Sequence, residues 1–156
     1  MKNITLLLAF LIVLPIGFTG CTKDNPTPSQ TPSDLIQGTW NFNNYREEYY
    51  NDAGAKVYER TGAIEISKVS FDKTNGIIYF NNGQPDQNVT YVINNNNNKN
   101  TLSLMYLGTP YAEFELSVLD NSNMTWYSEQ TGTIAYTENG VSKSAKTVKR
   151  FVIFSK

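Results

Sequence analysis

The sequence predicts an all-β domain, an antiparallel meander of about eight or nine strands closed into a barrel or folded as a sandwich. Three observations predict it. From Leu35 onward, apolar and polar residues alternate with a period of two, which places one face of each segment in a core and the other in water. Short clusters of Asn, Asp, Gly and Ser separate these segments, and such residues tolerate the positive φ of tight turns. No segment after the apolar N-terminus carries a helical stripe.

The expected strands cover residues 38–50, 56–61, 63–72, 76–81, 88–94, 100–107, 111–119, 123–137 and 142–155. The clearest is 111–119, where Ala112, Phe114, Leu116 and Val118 are expected to point one way and Glu113, Glu115 and Ser117 the other. In 63–72, Ile64 and Ile66 share a phase while Val69 and Phe71 take the opposite one, so a bulge near Ser67-Lys68 is expected. That segment and 56–61 form either two strands or one bent strand. Asn75-Gly76, Asn82-Gly83 and Asn139-Gly140 read as hairpin turns, and Asn94 to Asn98 as a solvated hairpin tip.

Composition excludes several functions. The 156 residues carry a formal charge of −1, without the basic excess with which nucleic-acid binders neutralise phosphates. There is no histidine, so histidine-based triads, Cys-His pairs and His-rich zinc sites cannot form. The single cysteine, Cys21, leaves no intramolecular disulfide. Neither a metal-ligand cluster nor a phosphate-cradling glycine loop is present, and no cofactor is expected.

Lys2, the apolar run Ile4 to Ile16, Pro15, and small residues before Cys21 read as an export signal. The run is short of the roughly 20 apolar residues of a spanning helix. Three regions follow: a signal over 1–20, a lipidated cysteine and flexible tether over 21–33, and a folded domain over 34–156. Pro26, Pro28 and Pro32 give the tether extended geometry at about 3.1 Å per residue.

Phe18-Thr19-Gly20-Cys21 resembles the lipobox of bacterial lipoproteins, with Phe18 where leucine is usual. The resemblance implies lipidation of Cys21 and a membrane contact through that lipid. Thr22, where enteric lipoproteins retained at the inner membrane carry aspartate, implies the outer membrane, on its periplasmic or surface face. Lys23-Asp24 loosely resembles the charged surface-export signal of Bacteroidetes lipoproteins. Leu35-Ile36-Gln37-Gly38-Thr39-Trp40-Asn41-Phe42 resembles the Gly-x-Trp opening of lipocalins and of lipocalin-like Bacteroidetes lipoproteins. This implies a lipocalin-like barrel with Trp40 plugging its floor and a terminal-strand arginine, for which Arg150 is the candidate, packed over it.

Trp40, Phe42, Phe80, Leu104, Phe114, Leu116 and Trp126 are the expected lining of a partly apolar interior, since eight strands leave room for side chains or for one small ligand. Trp40 and Trp126 also read as plain core packing, and the sequence leaves a filled and an open barrel both standing. Tyr45, Tyr49 and Tyr50, set among Arg46, Glu47 and Glu48, form either a stacking surface for a sugar or peptide or a cross-strand packing edge. Glu113 and Glu115 share a face at the spacing of a glycosidase carboxylate pair, but on an amphipathic strand such a pair faces water. Lys143, Lys146, Lys149 and Arg150 read as a solvated set protecting a sheet edge. Two functions stay open: carriage of a small apolar or amphipathic ligand, and a packed envelope protein acting through protein or glycan contacts at its surface. Catalysis is not expected.

Overall fold

The computed structural model describes residues 30–156. The expected signal, Cys21 and most of the expected tether lie outside the described residues. Nine strands follow one short helical turn: α1 (Pro32–Leu35), β1 (Gly38–Tyr50), β2 (Lys56–Gly62), β3 (Ile66–Asp72), β4 (Asn75–Phe80), β5 (Gln87–Asn96), β6 (Lys99–Tyr106), β7 (Thr109–Leu119), β8 (Asn123–Glu138) and β9 (Val141–Ser155). All neighbours are antiparallel, and β1 pairs β9 to close β1 and β3–β9 into an eight-stranded barrel. This is the expected all-β meander, and within the barrel closure removes the exposed edges an open sheet would carry.

The ninth strand is accounted for by β1. Its first residues, Gly38 to Asn41, pair β3, while Tyr45 to Tyr50 pair β2 on the same side. β2 and β3 therefore occupy one lane broken at residues 63–65, midway between the two alternatives for that segment. Above the break, β2, β1, β9 and β8 continue past the barrel as a four-stranded arm. Adjacent strands sit about 4.8 Å apart, so β2 and β8 would be roughly 14 Å apart in a flat sheet. Yet the rings of Tyr58 on β2 and Tyr136 on β8 stack with centroids 5.0 Å apart. The arm must curl, and it encloses a second small core of Tyr49, Ala145 and Val148.

Bulges keep each strand's apolar side inward. The register shift between Ile66 and Lys68 is the expected one, and it brings Ile64, Ile66, Val69 and Phe71 to one core. A shift between Phe42 and Asn44 turns β1 from even to odd phase, so that Trp40 and then Tyr45 and Tyr49 are packed inside. A further shift between Leu116 and Val118 corrects the reading of β7. Val118 is exposed, and Leu119 takes the inward place instead.

Two other expectations are corrected. Asn75-Gly76 is not a turn: the chain reverses at Lys73, φ +54, and Gly76 is buried in β4. A Cβ there would lie 3.0 Å from the Phe71 ring and 3.1 Å from Val89, so glycine is required by packing rather than by a turn. In the last part of the segment expected as a tether, Thr31 and Asp34 form a reciprocal capping box on α1. Finally, β9 is paired on both sides from Thr147 to Ser155, so Lys149 and Arg150 protect no edge, while Lys143 and Lys146 lie where β9 pairs β8 alone. Lys143 pairs Glu138, Lys149 lies over Tyr50, and Arg150 turns inward.

The floor of the barrel is closed by the chain that enters it. Ile36 is fully buried and its carbonyl accepts the Trp40 indole N–H at 2.7 Å. Gln37 donates to the Tyr91 hydroxyl at 2.7 Å and accepts from the Lys73 backbone N–H at 2.7 Å. The cation over Trp40 is Lys156, not Arg150: its Nζ lies 4.2 Å from the ring and donates to the Leu35 carbonyl at 3.0 Å. Because neighbouring strands alternate in direction, the β4–β5 connection and the β6–β7 turn lie at the opposite end, the rim.

Candidate functional site

The seven residues expected to line the interior all belong to one packed core. Trp40, Leu104, Leu116 and Trp126 are buried, and Phe42, Phe80 and Phe114 pack against the same core while partly exposed. Trp126 is the hub. Phe114 stacks on it at 4.9 Å, Phe154 lies at 4.7 Å and Phe71 meets it edge-on at 6.4 Å. Its indole N–H points at the Met124 sulfur, 3.3 Å away. Ring pairs of this geometry contribute about 0.5–1.5 kcal/mol each beyond area burial.

A polar cluster separates this core from the second one in the arm. Glu47 on β1 is buried, with 2% of its surface exposed. It lies in register with Arg60 on β2 and Arg150 on β9. Its carboxylate accepts from Tyr45 at 2.6 Å, Tyr49 at 2.8 Å, Arg150 at 2.8 Å and, as the shortest contact, Arg60. Burial alone would push this carboxyl up; the hydrogen bonds from Tyr45, Arg60, Tyr49 and Arg150 outweigh it and hold Glu47 down to about 2. Burial first, then the same carboxylate, pushes the Tyr45 phenol up to about 12. A buried carboxylate with all its lone pairs used and two counter-cations is a structural joint, and it offers no free group for acid–base chemistry.

The sequence reading missed this joint, though its signal was present. Tyr45, Glu47 and Tyr49 alternate on one strand, so an inward Tyr45 and Tyr49 require an inward Glu47. The three tyrosines accordingly form no single surface. Tyr45 and Tyr49 bond Glu47, while Tyr50 faces outward, donates to Glu48 at 2.6 Å and lies under Lys149. Glu113 and Glu115 face outward as read, with Ser103 3.3 Å from Glu113 and Lys99 2.9 Å from Glu115.

The two larger concavities lie at the rim and on the outer wall. At the rim, a half-open groove of about 590 Å³ runs between the β4–β5 connection and the β6–β7 turn. Tyr106, Leu107 and Tyr111 form one wall. Gln84, Asp86, Gln87 and Asn88 form the other, and Phe80 and Glu65 also border it. A second groove of about 490 Å³ on the outer wall, floored by Ile77 and Thr90, meets the first at Leu107. Both volumes fall in the range of about 300–1,000 Å³ typical of ligand sites. Leu107 is 86% exposed and stands at φ +50, a conformation that costs an ordinary residue about 1–2 kcal/mol.

The chain matches no protein-family model, and no curated protein or solved structure is detectably similar to it.

Proposed function

We propose that this chain is a lipid-anchored envelope protein, tethered through Cys21, whose packed barrel acts through its outer surface. The observation that carries the reading is the ring cluster packed at the centre of the barrel. Trp126 is in contact with three aromatic rings where a carried ligand would have to sit. Support for the address comes from the lipobox-like Phe18-Thr19-Gly20-Cys21 and the proline-bearing segment after it. The described chain enters at the floor, so an anchor at Cys21 would turn the floor toward the membrane and the rim away from it. The lipocalin-like resemblance then describes the scaffold, with its tryptophan floor and cation, rather than a carrier role.

A second reading keeps a small apolar ligand inside. Phe42, Phe80 and Phe114 favour it, since they face the interior yet are only partly buried. Native mass spectrometry of the full chain released from nonionic detergent separates the two. The packed reading expects the mass of the lipidated chain alone; a stoichiometric apolar molecule in addition would reverse it. Cys21→Ala should abolish incorporation of labelled palmitate, and retained label would overturn the anchor.

A further inference from the structure

We propose that the rim groove is a binding site for neutral oligosaccharides; this deepens the surface-acting reading and rests on it. The chain has ten tyrosines, and eight have a partner. Tyr45 and Tyr49 bond Glu47, Tyr50 bonds Glu48, Tyr91 accepts from Gln37, and Tyr127 bonds Glu129. Tyr58 and Tyr136 stack on each other, and Tyr79 lies under Lys68. Among the described residues, Tyr106 and Tyr111 alone have no hydrogen bond, ring pair or cation. Both are exposed, at 42% and 51%, and both border the same groove. The turn between them holds Leu107 in its strained, outward conformation. Strain kept at an exposed apolar tip points to use of that tip.

The chemistry of the groove selects the ligand class. A sugar ring presents axial C–H bonds with a slight positive charge, which meet the negative face of an aromatic ring. Its hydroxyls both donate and accept. The facing wall supplies side-chain amides from Gln84, Gln87 and Asn88, which do the same, and the carboxylates of Asp86 and Glu65, which accept from adjacent hydroxyls. No lysine or arginine borders the groove, so uronic, sialylated or sulfated polymers would meet uncompensated like charge. The shallow, half-open shape lacks the enclosed apolar socket that anchors a peptide side chain. Leu107 separates this groove from the one on the outer wall, so a chain of several sugars could continue across it.

The full chain in nonionic detergent should be titrated calorimetrically with maltohexaose, cellohexaose, xylohexaose and mannohexaose, and with polygalacturonate as the anionic counterpart. The expected result is saturable binding of at least one neutral oligosaccharide and none of polygalacturonate. Tyr106→Ala and Tyr111→Ala should each weaken binding by about tenfold or more, while Tyr111→Phe keeps most of it. Both side chains are exposed, and an unchanged far-ultraviolet spectrum verifies the fold of each variant. Binding of none of the neutral probes, equal binding by the alanine variants, tighter binding of polygalacturonate, or capture of peptides by the same tyrosines in place of sugars would each overturn the assignment. Native mass spectra of the same samples distinguish the two failures. A bound apolar molecule sinks the packed-barrel reading, whereas an empty barrel that ignores neutral sugars sinks only this site.

Discussion

Arg150 donates from Nε to Glu47 at 2.8 Å across a sequence separation of 103 residues. That bond joins the last strand to the first at the seam where the barrel closes, and it sits between the two apolar cores. The carboxylate is buried; Arg60 and Arg150 reach it from partly solvated positions. Removing the carboxylate leaves two guanidiniums and two phenols facing one another without an acceptor. Glu47→Ala should therefore cost about 2–4 kcal/mol, measured as the shift in urea midpoint at unchanged slope.

The same residue sets an acid limit. Its folded carboxyl lies at about 2 against an ordinary 4.5. A depressed carboxyl contributes stability that is complete above the unfolded value and is lost as pH falls from about 4.5 toward 2. Denaturation curves over this window should show stability dropping in the wild type. Glu47→Gln, which cannot ionise, should show a shallower fall. At the other extreme, Tyr45, raised to about 12 from 10, contributes stability that disappears as pH rises through that interval.

At the floor, Lys156 stands in for the arginine that the lipocalin-like resemblance implied. Lys156→Ala should destabilise by about 1 kcal/mol through loss of the ring contact and the bond to Leu35. It should also shift the Trp40 contribution to near-ultraviolet circular dichroism. An unchanged spectrum would show that the ammonium does not rest on the indole in solution.

Gly76 and Leu107 should respond in opposite senses. In Gly76→Ala, the new methyl meets a Phe71 ring already fixed in the core, and a loss of about 1–3 kcal/mol is expected. Asparagine is already found at the left-handed tips Asn97, Asn98 and Asn139. Leu107→Asn should therefore raise stability by about 0.5–1 kcal/mol. A loss there would mean that the leucine side chain makes stabilising contacts its exposure does not suggest.

Most of the barrel was legible because a half-buried strand writes its facing into the sequence every second residue. The bulge in β3 was legible for the same reason, as Ile66 and Val69 fall out of phase. Val118 was misread because the bulge before it leaves no mark: valine and leucine follow one another, and either could take the inward place. Asn75-Gly76 has the composition of a turn, and only the Phe71 ring packed against Gly76 shows why the glycine is there. Arg150 and Lys156 share the inward phase of β9. The period could not tell which meets Trp40; the pairing of Asn41 with Ser155 does. The rim groove was invisible because its walls, 84–88 and 106–111, meet only after the two strands between them have turned back.

The filled interior is the claim on which the surface-acting account depends, and an apolar probe tests it most directly. N-phenyl-1-naphthylamine should be titrated into the wild type and into Trp126→Ala, which empties the centre of the ring cluster at a cost of about 3–5 kcal/mol. The account predicts no saturable enhancement of probe fluorescence in the wild type and stoichiometric binding in the variant. Stoichiometric binding by the wild type, with quenching of its tryptophans, would contradict it.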